Sequence, residues 1–202
     1  TSKLTPLAIA AQSANIELVE YLLSMGAKIE AGEQSGNTPL LLAVRLGLEP
    51  MVEFLLQKGA NPNATNSMHE TFLSIACETG NLSLTRLALS NGGDVELPGK
   101  TQRTPLFSAV SSGNAQILQL ILDTDADVNA RDADKETPLH VAAREGKVDF
   151  ARILMERGAE PNALDLYGST PLHEAAGAGD AAMIALLIEG GADPDALDAE
   201  GS

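Results

Sequence analysis

The chain has 202 residues, 44% of them hydrophobic and only 3% aromatic, with no Trp, and a formal charge of −15. Its length and hydrophobic content suit one large folded domain or two small ones and speak against disorder, while so few aromatics exclude one large globular core in favour of close-packed layers of Ala and Leu. Residues 1–101 carry 6 basic and 10 acidic groups and residues 102–202 carry 7 and 18, a surface that repels phosphate backbones and anionic lipid and so argues against nucleic acid or membrane as partner.

Cys77 is the only cysteine, so the chain cannot form an internal disulfide. No apolar run reaches the roughly 20 residues needed to span a bilayer. The expected location is therefore intracellular, cytoplasmic or nuclear. No initiator Met, signal peptide or transit segment opens the chain, which is read as an excised piece of a longer protein and, as such a piece, a monomer.

Thr-Pro-Leu recurs at Thr5, Thr38, Thr104, Thr137 and Thr170, and Thr71-Phe72-Leu73 fills the gap, so the spacing is 33 residues throughout. Each Thr is expected to cap a helix through its hydroxyl, with Pro at the first helical position, where the missing N–H costs nothing. A Gly nine residues later closes that helix, because Gly takes the left-handed conformation cheaply.

In chain order, the first repeat has Ala14 in place of that Gly and a second helix through Leu22-Leu23 to Gly26. The second runs from Thr38 through Gly47 and Leu55-Leu56 to Gly59. The third departs with Phe72, Cys77, Ala88 and Leu97-Pro98, between Gly80 and Gly92. The fourth has Gly113 and Ile121-Leu122, but Asp125 where the closing Gly belongs; Asp is expected to take the left-handed conformation there. The fifth has Gly146 and Gly158. The sixth has Gly179, Leu187-Ile188 and Gly191, and Asp198 to Ser202 read as the run-in to a further Thr-Pro-Leu. Ala10, Ala43, Ala76, Ala109, Ala142 and Ala175 keep one phase, and such small side chains let helices approach to about 8–10 Å.

The pattern resembles the ankyrin repeat family. The fifth repeat is closest, with Thr137-Pro138-Leu139-His140, Ala142-Ala143, Gly146, Gly158-Ala159 and Asn162-Ala163. The resemblance covers essentially the whole chain. It implies an all-α fold, a solenoid of helix-turn-helix units joined by β-hairpin-like fingers, with residues 1–202 forming a single repeat domain within a longer array. It also implies protein binding on the concave side. Pro in place of Phe72 is expected to help only if the backbone there is regular, through the fixed φ of a first-turn proline.

No catalytic, cofactor or metal site is expected. His140 and His173 hold the same repeat position, about 10 Å apart, too far to share one zinc at 2.0–2.1 Å. Each is read instead as a brace between its own Thr and the neighbouring turn. Asp123, Asp125, Asp127, Asn129 and Asp134 mimic a calcium loop, but Val128 stands where the sharp turn needs Gly. Gly177-Ala178-Gly179-Asp180-Ala181-Ala182 matches a dinucleotide fingerprint without the preceding strand. Cys77 reads as a buried, inert thiol.

Stacking leaves free the fingers and the positions seven and eight residues after each Thr. Arg45, Leu46, Met68, Glu78, Arg103, Ser111, Asp134, Glu136, Arg144, Glu145 and Tyr167 are the candidate contacts for a protein partner, centred on repeats three to six. Arg and Tyr among them have the chemistry of interface hot spots. The expected function is a protein–protein interaction module that scaffolds or regulates a larger protein. The alternatives are the recruiting or autoinhibitory arm of an enzyme whose catalytic domain lies elsewhere, and a structural spacer of a channel-like protein.

Overall fold

A computed structural model describes residues 3–199. The fold is all-α, with twelve helices and no strand among the described residues. It forms two compact units that divide between Lys100 and Thr101. The first unit holds three helix pairs: Pro6–Gln12 (α1) with Ile16–Ser24 (α2), Pro39–Arg45 (α3) with Glu49–Gln57 (α4), and Phe72–Glu78 (α5) with Leu82–Ser90 (α6). The second holds Pro105–Ser112 (α7) with Ala115–Leu122 (α8), Pro138–Arg144 (α9) with Val148–Glu156 (α10), and Pro171–Ala178 (α11) with Ala181–Glu189 (α12). Glu200 to Ser202, part of the supposed run-in to a further repeat, lie outside the described residues.

Helices of two turns are unstable alone in water, so packing must hold them. Within the first unit α3 packs between α1 and α5, and within the second α9 packs between α7 and α11. The phased alanines Ala10, Ala43, Ala76, Ala109, Ala142 and Ala175 are completely buried at these contacts, as are Leu41, Val44, Leu73 and Ile75. Within each unit the helix pairs thus bury their apolar faces against one another.

The Thr hydroxyl caps as expected in the first three repeats, accepting from Ala8, Leu41 and Ser74 N–H at 3.1, 3.2 and 3.1 Å. In the third, Ser74 Oγ returns the bond from Thr71 N–H at 2.9 Å, closing a capping box. The backbone at Phe72 is therefore regular, which meets the condition for Pro there, but the Phe72 side chain is fully buried and Pro would delete it. Ala14, at φ 55°, takes the left-handed conformation that Gly47, Gly80, Gly113, Gly146 and Gly179 take in the later repeats.

Asp125 does not behave as expected. The left-handed non-glycine residues among those described are Ala14, His69, Gln102 and Lys135. In the first repeat the Leu22 carbonyl, counterpart of Ile121, accepts from Ala27 N–H beyond the glycine turn. In the fourth, Thr124 occupies the Ile121 carbonyl with both its N–H (3.1 Å) and its hydroxyl (2.6 Å). Helix α8 ends at Leu122, capped by Asp123.

The fingers are turns rather than strands. In four of them one residue donates its N–H to a carbonyl four positions on, as Asp132 does to Glu136 at 3.0 Å, and a left-handed residue three positions after it closes the tip. Neighbouring fingers share one backbone bond each, Ser67 N–H to Ser35 O and Lys100 N–H to Met68 O in the first unit, and Leu166 N–H to Asp134 O in the second.

Candidate functional site

The base of three of the fingers is tied by one carboxylate or amide. Asp132 Oδ1 accepts from Asp134 and Glu136 N–H, both at 2.9 Å, and Asp165 Oδ1 accepts from Tyr167 and Ser169 N–H, both at 2.8 Å. Asn66 does the same for Met68 and Glu70. These short side chains hold the tip residues in fixed positions.

Against this frame the second unit gathers three of the candidate contacts into one cluster. Arg103 Nε donates to Asp132 Oδ2 at 2.9 Å and its Nη2 to Glu136 Oε2 at 2.8 Å, while its guanidinium lies 5.5 Å from the centre of the Phe107 ring. Arg144 grips Glu136 from the other side with two nitrogens and reaches Glu174 at 3.6 Å. Glu136 is buried, so its carboxylate is engaged inside the protein, whereas both guanidiniums keep more than a third of their side chain in water. Burial alone would raise the Glu136 pKa; the Arg144 hydrogen bonds and the two positive charges outweigh it and hold the pKa below the usual glutamate value. Arg144 is correspondingly raised, first by its bonds to Glu136.

Beside this cluster Ser111 Oγ donates to Glu145 Oε1 at 3.1 Å, and Lys147 Nζ reaches both Glu145 and the carbonyls of Val110 and Ser111. Asp134 is exposed at the finger tip. Tyr167 is 65% exposed, although its N–H is held by Asp165 and its carbonyl by Ala199 N–H at 3.0 Å. Leu164, Leu166 and Leu197 are also exposed. In the first unit Arg45 pairs with Glu70 at 2.6 Å, Leu46 is exposed at the end of α3, Met68 is exposed at its tip, and Glu78 ends α5 exposed.

Sequence reasoning missed Asp132, Glu174 and Lys147, which hold the chosen residues in place. Asn66, Asp132 and Asp165 hold one slot of the 33-residue repeat, and that shared slot was the available signal for Asp132. An open hollow of about 600 Å³ lined by Arg144, His173, Glu174 and Gly177 lies at the edge of α11.

His140 shows the bracing read from its position. Its Nδ1 faces Thr137 N–H and Oγ1 at 3.1 and 2.9 Å, and its Nε2 lies 3.1 Å from the Ser169 carbonyl in the next finger. A carbonyl only accepts, so Nε2 carries the proton and the ring is neutral. Burial, first, lowers its pKa; the Ser169 bond and nearby carboxylates oppose this. Cys77 is buried, and burial pushes its pKa to about 12 despite a bond to Thr85. Asp123 is occupied by Arg157 and Gln119, and Asn129 by the Gly158 carbonyl and Glu160 N–H. Asp180 Oδ1 caps α12 by accepting from Ala182 and Met183, both at 3.0 Å, so the fingerprint glycines precede a helix end that already holds a carboxylate. No helix among the described residues is long and apolar enough to cross a membrane.

Paired short helices at a 33-residue period, left-handed closing residues and tied fingers match a family described as ankyrin repeats (3 copies), over residues 1–66, 65–132 and 128–198. The chain belongs to the ankyrin repeat family. Each matched segment spans about two of the 33-residue ankyrin units. Among solved structures, the ankyrin repeat domain of Bcl-3, a unique member of the IkappaB protein family, is similar at 29% identity, with a TM-score of 0.86, covering 98% of this chain and 91% of that one. No curated protein matches the chain. Ankyrin repeats are in general protein–protein interaction modules.

Proposed function

We propose that this chain is a protein-binding module without chemistry of its own, which holds a partner on the finger tips and first-helix ends and so scaffolds or regulates a larger protein. The observation that supports this most is the presentation of Tyr167. An aromatic ring in water is ordinary, but this one stands on a backbone bonded on both sides, next to exposed Leu166. Because the finger is already ordered, a partner would give up little entropy in fixing it, which is how an anchoring residue gains affinity. The exposed halves of Arg103 and Arg144, with Ser111, Asp134 and Glu145, supply a mixed polar surround in the same unit. Arg45, Leu46, Met68 and Glu78 offer a second such surface in the first unit. A neutral or locally basic partner suits the acidic surface, and an intracellular setting suits the reduced Cys77.

The test places a photo-crosslinking residue at position 167 in one chain and at position 152, on α10, in another. A protein captured from cell extract at 167 but not at 152 is then purified for calorimetry. Tyr167→Ala should weaken its binding about 30-fold, equivalent to about 2 kcal/mol. Glu53→Ala and Arg152→Ala, exposed on second helices, should leave it unchanged. Weakening by the second-helix variants with Tyr167→Ala silent would move the contact to another face.

A further inference from the structure

Four apolar side chains of the first repeat, Ile9, Leu18, Tyr21 and Met25, are 52%, 41%, 60% and 69% exposed. The apolar counterparts of Leu18 and Ile9 at intervals of 33 residues are buried. Met51, Leu84, Phe150 and Met183 stand where Leu18 does, and none exceeds 8%; Leu42, Ile75 and Val141 stand where Ile9 does, and none exceeds 6%.

Stacking accounts for the difference. In the first unit α3 lies on α1 and α5 on α3, so the backward-facing side chains of the second and third repeats lose their water to the repeat before. Position 25 shows the direction directly. Its counterpart Lys58 reaches back from the second repeat to Glu20 of the first at 2.8 Å, and Arg157 reaches back from the fifth repeat to Asp123 at 2.7 Å. A terminal capping repeat turns a polar face outward. The first repeat instead turns outward an apolar surface of the kind its successors bury.

We propose that this face is a stacking surface for one further helix pair of the ankyrin type, joined in line ahead of the first repeat. What covers the equivalent surface of the second repeat indicates the occupant: a helix presenting small apolar residues, as α1 presents Ala8 and Ala11, both fully buried. This surface is separate from the finger surface proposed to bind a partner, and either can stand without the other.

The test copies residues 137–169 directly ahead of Thr5, keeping the period, and in a parallel chain copies residues 38–70 there. In at least one extended chain the amides of Val19 and Leu22 should exchange at least tenfold more slowly than in the 202-residue chain, with a single melting transition at higher temperature. Leu18→Gln should abolish most of that gain while changing the 202-residue chain little, since Leu18 there already faces water. Unchanged α2 exchange in both extended chains, or a gain that survives Leu18→Gln, overturns the proposal. Sedimentation equilibrium of the 202-residue chain should show a monomer. Self-association abolished by Leu18→Gln would give the face to a second copy and overturn the proposal equally.

Discussion

Arg103 and Glu136, one repeat apart, are joined by a 2.8 Å bond from Nη2 to Oε2, and the same carboxylate is gripped from the far side by Arg144. One buried acid therefore ties the fingers of the fourth and fifth repeats to the end of α9. Removing it leaves Arg103 with Asp132 and Arg144 with Glu174 and takes from both guanidiniums the partner they share. Both are partly in water, which softens the loss relative to a fully buried pair. Glu136→Ala should destabilise the chain by about 2 kcal/mol at pH 7.

The pH dependence of that loss follows from the depressed pKa. A carboxylate whose folded pKa lies below its unfolded one stabilises fully above the unfolded value, here the usual 4.5, and less as pH falls through the folded value. Urea unfolding of both chains at pH 7 and pH 3 should show the gap narrowing at pH 3. An unchanged gap would mean that Glu136 acts through packing alone.

His140 titrates in a different window. The folded ring is neutral, donating from Nε2 to Ser169 and accepting at Nδ1, and burial holds its pKa below 6.5. The unfolded chain then binds the extra proton first, so this stability is present above pH 6.5 and falls as the pH drops below it. His140→Gln should cost about 1–2 kcal/mol at pH 7.5, through the lost bonds. Its deficit should shrink by pH 5, measured by urea midpoints. A deficit constant with pH would contradict the neutral, bracing ring.

Phe72→Pro should destabilise, although Thr-Pro is the pattern in every other repeat. Phe72 is at the first position of a well-capped helix, so Pro fits the backbone, but its ring is fully buried. Emptying a buried Phe site costs about 3–5 kcal/mol, and Pro refills part of it, leaving about 2–4 kcal/mol. Thermal melting decides this. A variant as stable as the parent would show that the neighbours close the cavity.

The helices, their caps and the bracing role of His140 were legible because each rests on residues close in sequence, repeated at 33. The cluster around Glu136 was legible only in part. A glutamate at a finger reads alike whether it faces water or lies between two guanidiniums, and Arg103 stands 33 residues from it. Opposite charges at one slot of adjacent repeats, Arg103 and Glu136, were the only hint. Asp125 misled because its behaviour depends on Thr124, whose hydroxyl competes for the Ile121 carbonyl. Side chains such as Leu18 were invisible as an exposed face, since the pattern that buries their counterparts is the same pattern.

The finger tips lead to a prediction of opposite signs. Gly36 and Gly168 hold φ of 77° and 79° at one slot of the repeat, and Gln102 and Lys135 hold 62° and 61° at the same slot. The local bond is shared, since Lys135 N–H reaches Asp132 O at 2.9 Å as Gly36 N–H reaches Glu33 O at 2.9 Å. A side chain in this conformation costs about 1–2 kcal/mol, against about 0.5–1 kcal/mol for the freedom Gly brings to the unfolded chain. Lys135→Gly and Gln102→Gly should therefore each stabilise by about 0.5–1 kcal/mol and raise the melting temperature by a few degrees. Gly168→Ala should do the reverse and by more. Its new Cβ would sit 2.8 Å from the backbone nitrogen of Ala199, which belongs to the next finger and cannot simply rotate away. A destabilisation of about 2 kcal/mol is expected there, from left-handed strain and the close contact together. Calorimetric melting of the three variants tests the ordering, and Lys135→Gly melting below the parent would show that the finger tip bears no strain.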